Sequence, residues 1–218
     1  MTTPEAQQQT ENIAELLSAI TDPQCQQKSL ELLAGFKKSL ELLKHSYLLL
    51  SEAEFYLEGA EALAHTQVRV KAVEPLQVDW DKMDAALQTY YQANVQSVAR
   101  GVQVTRIFVV NRRDSLEQGL LKTLYRQSQD GIDVRLAYRE DLPSDALIAE
   151  HSLDFAIYND ALVTDRSLDN GAYFGTKTSN PDEIDKYLQV FAVLEQQAQP
   201  LTPEIILSRW QLLDELPV

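Results

Sequence analysis

The chain has 218 residues, room for one generous domain or a domain with a helical appendage. A composition of 44% hydrophobic and 24% charged residues excludes wholesale disorder and a collagen-like repeat, and the single cysteine, Cys25, excludes a disulfide-stapled miniprotein. Nineteen basic residues against 33 acidic ones leave a formal charge of −14, which disfavours general binding to nucleic acid because phosphate contacts need Lys and Arg.

The opening stretch MTTPEAQQQTENIAELL carries acids where a signal peptide needs basic residues. The most apolar stretch, 40–63, is interrupted by Glu41, Lys44, His45, Glu52, Glu54, Glu58 and Glu61, so no bilayer span is expected and the cytoplasm is the expected address. Charge is uneven: the flanks 1–96 and 141–218 are acidic, whereas 97–140 holds 8 basic and 5 acidic side chains.

The first third reads as helix. Ile13, Leu16, Leu17 and Ile20 recur at helical spacing up to the TDPQ step at 21–24. Helix resumes near Gln26, with Leu30, Leu33, Phe36, Leu40, Leu43, Tyr47 and Leu50 at steps of three and four. Ser51, with Glu54 three residues on, is a capping box for a further helix through Phe55, Leu57, Ala60 and Leu63. These helices suit either a hairpin packed on the rest or a coiled-coil-like dimerisation arm.

From His65 the period changes. Residues 66–73 alternate as a strand ending at Pro75, and 80–99 is helical, with Gly101 as its C-cap. The apolar run 102–110 suits a strand buried on both faces. Asp114 or Ser115 caps a helix over 116–129, and strands follow at 132–138 and 153–158. Asn159-Asp160 turns the chain into 161–164, and 172–174 adds a short strand. Asn180-Pro181 opens a helix to about Gln197, and a last one follows Thr202-Pro203-Glu204. This order predicts an α/β fold, a sheet covered by helices, with a helical N-terminal arm over 1–64, the α/β domain over 65–200 and a helical tail over 201–218.

Two segments together carry a resemblance. YQANVQSVARGVQVTRIF (91–108) and LDFAIYND (153–160), the latter followed by FGTKTSN (174–180), resemble the helix-strand and strand-turn-GSN passages of phospholipase D-like domains. The resemblance implies that scaffold over roughly 65–190. The family's catalytic signature is HxKxxxxD, in which the His attacks phosphorus and the Lys stabilises the phosphate charge. Here His45, His65 and His151 all lack a Lys two residues on, and setting Asp160 at the motif Asp puts Leu153 and Phe155 at the His and Lys positions. The resemblance therefore implies the scaffold and withholds the phosphodiesterase.

Other chemistries find little support. Three scattered histidines and one cysteine make no familiar zinc site, and Asp160, Asp165 and Asp169 read as turn chemistry, so no metal is expected. With 7 glycines and neither GxGxxG nor GxxxxGK[ST], no cofactor is expected either. Ser115 and Ser152 sit in no GxSxG elbow.

The arginines stand out. Arg106 lies within a strand, Arg112 and Arg113 follow its carboxyl end, and Arg135 and Arg139 lie in and just after the next strand, where open α/β sheets hold ligands. They form either a candidate anion site or ion pairs that answer the acidic flanks. The expected function is that of a non-catalytic regulatory or scaffold protein binding a protein or small anionic ligand, with a homodimer through the N-terminal helices. The alternatives are a nucleic-acid-associated role through the Arg-rich segment and an enzyme with an unrecognised site.

Overall fold

The structure, a computed structural model, describes residues 3–75, 85–112, 118–144, 153–169 and 172–214. Its backbone divides into two compact units, Met1–His45 and Ser46–Val218.

The first unit is two helices, each announced by its cap. Thr3 caps α1 (Pro4–Ala19) by accepting from the Ala6 N–H at 3.2 Å, and Asp22 caps α2 (Pro23–Lys44) by accepting from the Cys25 N–H at 2.9 Å. Proline occupies the first helical position in both, where its missing N–H costs nothing. No residue of either helix is buried, and α1 and α2 do not pack along each other.

The helix expected to continue to Leu50 stops at Lys44. Ser46 takes a left-handed backbone (φ 64°), and Tyr47–Leu50 becomes strand β1. The predicted capping box at Ser51 then starts α3 (Glu52–His65): Ser51 Oγ accepts from the Glu54 N–H at 3.4 Å, and the Glu54 carboxylate accepts from the Ser51 N–H at 2.7 Å. β1 and α3 belong to the α/β unit, because α3 buries Phe55, Tyr56 and Leu63 in its core.

That unit continues with β2 (Arg69–Pro75), α4 (Ala85–Ala99), β3 (Gln103–Val110), α5 (Gln118–Gln129), β4 (Asp133–Tyr138), β5 (Phe155–Tyr158), β6 (Leu162–Asp169), β7 (Ala172–Thr178), α6 (Pro181–Gln197), β8 (Gln199–Pro200) and α7 (Pro203–Asp214). The expected helix start near Trp80 and the caps Asp114 and Ser115 lie outside the described residues. Gly101 and Gly131 end α4 and α5 at φ 90° and 84°, where a side chain would be strained, and so turn each helix directly into the next strand.

The strands form one sheet in the order β1-β7-β6-β5-β2-β3-β4-β8. Helix-linked β2, β3 and β4 are parallel, and the remaining pairings are antiparallel. The β5–β6 hairpin turns on Asn159 and Asp160, both left-handed (φ 51° and 54°), and Asn159 Oδ1 ties the turn to β2 by accepting from the Val68 N–H at 3.0 Å. Alternation along the strands produces two apolar layers. Val70, Ala72, Val104, Phe108, Val134 and Leu136 meet α3, α4, α5 and α7, while Val73, Ile107, Val109, Phe155 and Ile157 meet α6.

The α3–α4 contact depends on Gly59. A Cβ there would lie 2.9 Å from a Tyr90 ring carbon and 3.0 Å from the Tyr158 hydroxyl. Gly59→Ala is therefore expected to destabilise the fold by about 1–3 kcal/mol despite its better helix propensity, read as a lower urea midpoint at unchanged slope.

Candidate functional site

The carboxyl ends of parallel strands are where α/β sheets hold ligands, so the end of β2 is the place to look. Even-numbered residues of β2, β3 and β6 point toward α3 and α4, and three of them are charged: Glu74, Arg106 and Arg166.

Arg106 is wholly buried. Its Nε lies 3.3 Å from Glu74 Oε1, Nη1 donates to Gln127 Oε1 at 2.8 Å, and Nη2 donates to Asn94 Oδ1 at 3.1 Å. Helices α4 and α5 thus supply neutral acceptors to a cation beneath them, and the Tyr90 ring lies 5.9 Å from the guanidinium carbon. Burial holds Glu74 above the ordinary carboxylate range, and the facing Arg106 and Arg166 pull it back.

Arg166 reaches the rim of the same seam. Its Nε donates to Asp154 Oδ2 at 2.6 Å, its Nη1 donates to the Tyr56 hydroxyl at 2.6 Å, and exposed Glu52 approaches to 3.8 Å. Burial lifts the Asp154 carboxyl to about 6, with Arg166 opposing the rise and Glu74 adding to it.

One residue away, on the α6 face, Asp165 is also buried. It accepts from the Ser167 hydroxyl at 3.1 Å and is hydrogen-bonded to Tyr187, which in turn bonds Tyr47. Tyr47 donates to Glu183 at 2.8 Å, so a chain of hydroxyls links the buried carboxyl to the surface of α6. Burial pushes Asp165 up to about 7, Ser167 and Tyr187 opposing and the nearby Asp154 charge reinforcing. The site therefore offers two protonatable carboxyls near neutral pH beside a buried Arg–Glu pair.

Four of the five arginines expected to form an anion pocket are described, and they do not share a face. Arg106 is sealed beneath α4 and α5. In the β3–β4 register Ile107 stands opposite Arg135, which places Arg135 on the α6 face, where it binds Asp133 at 2.8 Å and Glu195 at 3.3 Å. Arg112 does come next to the 139–141 turn that holds exposed Arg139. Its N–H donates to Glu140, and its guanidinium pairs with Asp141 and stacks 4.6 Å over Tyr138. Arg113 lies outside the described residues, as do His151 and Ser152.

Glu74, Asp154, Arg166 and Tyr56 escape a reading of the sequence because four separate segments, β2, the residue before β5, β6 and α3, bring them together. Leu153 and Phe155 are buried in the apolar layer against α6, and Asp160 pairs with Arg69 and Lys71. Among the described residues no group of His, Cys, Asp and Glu could hold a metal ion, and no helix is long and apolar enough to cross a membrane.

The family model for DUF6879, a domain of unknown function, matches residues 46–203. The chain belongs to this family. Its matched region coincides with the α/β unit as far as the start of α7. No curated protein matches the chain. Among solved structures, this DUF6879 member is similar to Nuc from Salmonella typhimurium, a phospholipase D family member (TM-score 0.53, 12% identity, 72% of this chain and 98% of that one). NucT from Helicobacter pylori aligns with a TM-score of 0.51 at 13% identity, over 71% of this chain and 98% of its own. TrmBL2, an archaeal chromatin protein, aligns at 0.47 and 15% identity, over 89% and 67%. The DUF6879 unit has a phospholipase D-like fold.

Proposed function

We propose that this DUF6879 protein is a non-catalytic member of the phospholipase D-like fold that works by binding, as a regulatory or scaffold protein, to a protein or small anionic partner. One observation carries the reading. Leu153 and Phe155 are packed under α6, and setting Asp160 at the motif Asp of that fold's signature assigns them to its nucleophile and phosphate-clamp positions. A leucine cannot attack phosphorus, and a phenylalanine cannot neutralise its oxygens. On the opposite face of the sheet the buried charges pair with their neighbours, Arg106 with Glu74, Asn94 and Gln127, and Arg166 with Asp154 and Tyr56.

A chromogenic phosphodiester, assayed over a range of pH and divalent metals, is expected to give no turnover above the rate without protein. Turnover that disappears in His151→Ala would overturn the reading. The small-anion version assigns the ligand to Arg112 and Arg139 at the ends of β3 and β4. It is tested with inorganic phosphate as the probe: Arg112→Gln should lose a phosphate-dependent rise in melting temperature that shrinks as salt is raised. If Arg112 only neutralises Asp141, the wild type shows no such rise and the variant loses at most about 1 kcal/mol.

A further inference from the structure

The helices of the first unit leave a large apolar surface open. Leu16 on α1 and Leu30, Leu32, Phe36, Leu40 and Leu43 on α2 are 47–70% exposed. On α2, Leu33, Phe36, Leu40 and Leu43 follow the three-four spacing of a helix–helix seam. Six such side chains, spread over the two helices, together expose several hundred Å², approaching the ~800 Å² per partner of a specific interface.

Charge indicates what covers it. Helix α1 carries Glu5, Glu11 and Glu15 and no basic residue, whereas α2 carries Lys28, Lys37, Lys38 and Lys44 against Glu31 and Glu41. Lys37 and Lys44 stand three residues before and four after Leu40, so they border the apolar stripe. Parallel alignment of two copies would set acidic α1 on acidic α1 and basic α2 on basic α2. Antiparallel alignment sets Glu5 and Glu11 of one copy against the Lys37–Lys44 stretch of the other, twice over.

We infer that residues 4–44 of two copies pair antiparallel, α1 of each lying along α2 of the other, so that the partner of this surface is a second copy of the chain. The inference does not depend on the absence of phosphodiester chemistry, and hydrolysis data cannot decide it.

Light scattering on the full chain is expected to give a dimer that weakens with salt. Glu5→Lys with Glu11→Lys makes α1 basic, and Lys37→Glu with Lys44→Glu makes α2 acidic. Each double variant alone is expected to dissociate at least tenfold more readily with unchanged circular dichroism, and an equimolar mixture of the two should restore the dimer. A nitroxide at Gln8→Cys in a Cys25→Ser background should give inter-copy distances beyond about 30 Å, since position 8 lies some fourteen residues of helix from the centre of the pair at ~1.5 Å each. A monomeric wild type, charge variants as dimeric as the wild type, a mixture that stays dissociated, or a short nitroxide distance would each overturn the inference.

Discussion

Replacing Arg106 by Met is expected to cost about 3–5 kcal/mol of folding stability, because it strands the Glu74 carboxylate in a buried site with its main counter-charge removed. Two further acceptors, Asn94 Oδ1 and Gln127 Oε1, lose their donor in the same step. The second half of the prediction separates charge from packing. Adding Glu74→Leu to Arg106→Met removes the stranded charge and should recover a large part of the loss, since apolar replacements of buried ion pairs are often tolerated. A double-mutant cycle from urea unfolding measures this. A double variant as unstable as Arg106→Met would show that the arginine acts through packing under α4 and α5 rather than through Glu74.

Asp165→Asn is expected to act in the opposite direction. The Asp165 carboxyl is raised from an ordinary 3.8 to about 7 by burial, so the folded protein holds this proton more tightly than the unfolded chain does. Stability therefore falls as pH rises from about 4 to about 7 and is level above that. Asparagine can still accept from Ser167 and Tyr187 but cannot ionise. The variant should match the wild type near pH 4 and exceed it by on the order of 2–4 kcal/mol above pH 8. Asp154, raised to about 6, leaves a smaller slope in the variant that ends near pH 6. Urea midpoints across pH check this, and parallel profiles for the two proteins would refute it.

The parts legible from residues alone are those governed by short-range chemistry. Ser51 with Glu54, Asn180 with Pro181, and the glycines at 101 and 131 mark element ends through local hydrogen bonds and backbone freedom, and the structure places caps there. β1 escapes because Leu43, Tyr47 and Leu50 continue the helical spacing, while the break depends on one left-handed residue, Ser46, that carries no glycine or proline to announce it. β6 runs to Asp169 rather than 164, because Asp165 and Arg166 look like turn residues until their partners Tyr187, Asp154 and Tyr56 are brought beside them. The spread of the arginines over both faces follows from a point the pattern already contains. Strand residues alternate faces, so Arg106 and Arg135 on neighbouring parallel strands reach opposite sides of the sheet.

The pairing of β1 with β7 governs how the chain can be cut. β1 shields one edge of the sheet along Leu50–Gly175, Leu49–Thr176, Leu48–Lys177 and Tyr47–Thr178. A fragment beginning at Ala64 would strip that cover together with α3. The backbone of β7 would then be bare and the Tyr90 layer open, a template on which further chains can add strand by strand. Such a fragment is expected to form large, polydisperse aggregates, whereas one beginning at Ser46 keeps β7 paired with β1 and should remain monodisperse.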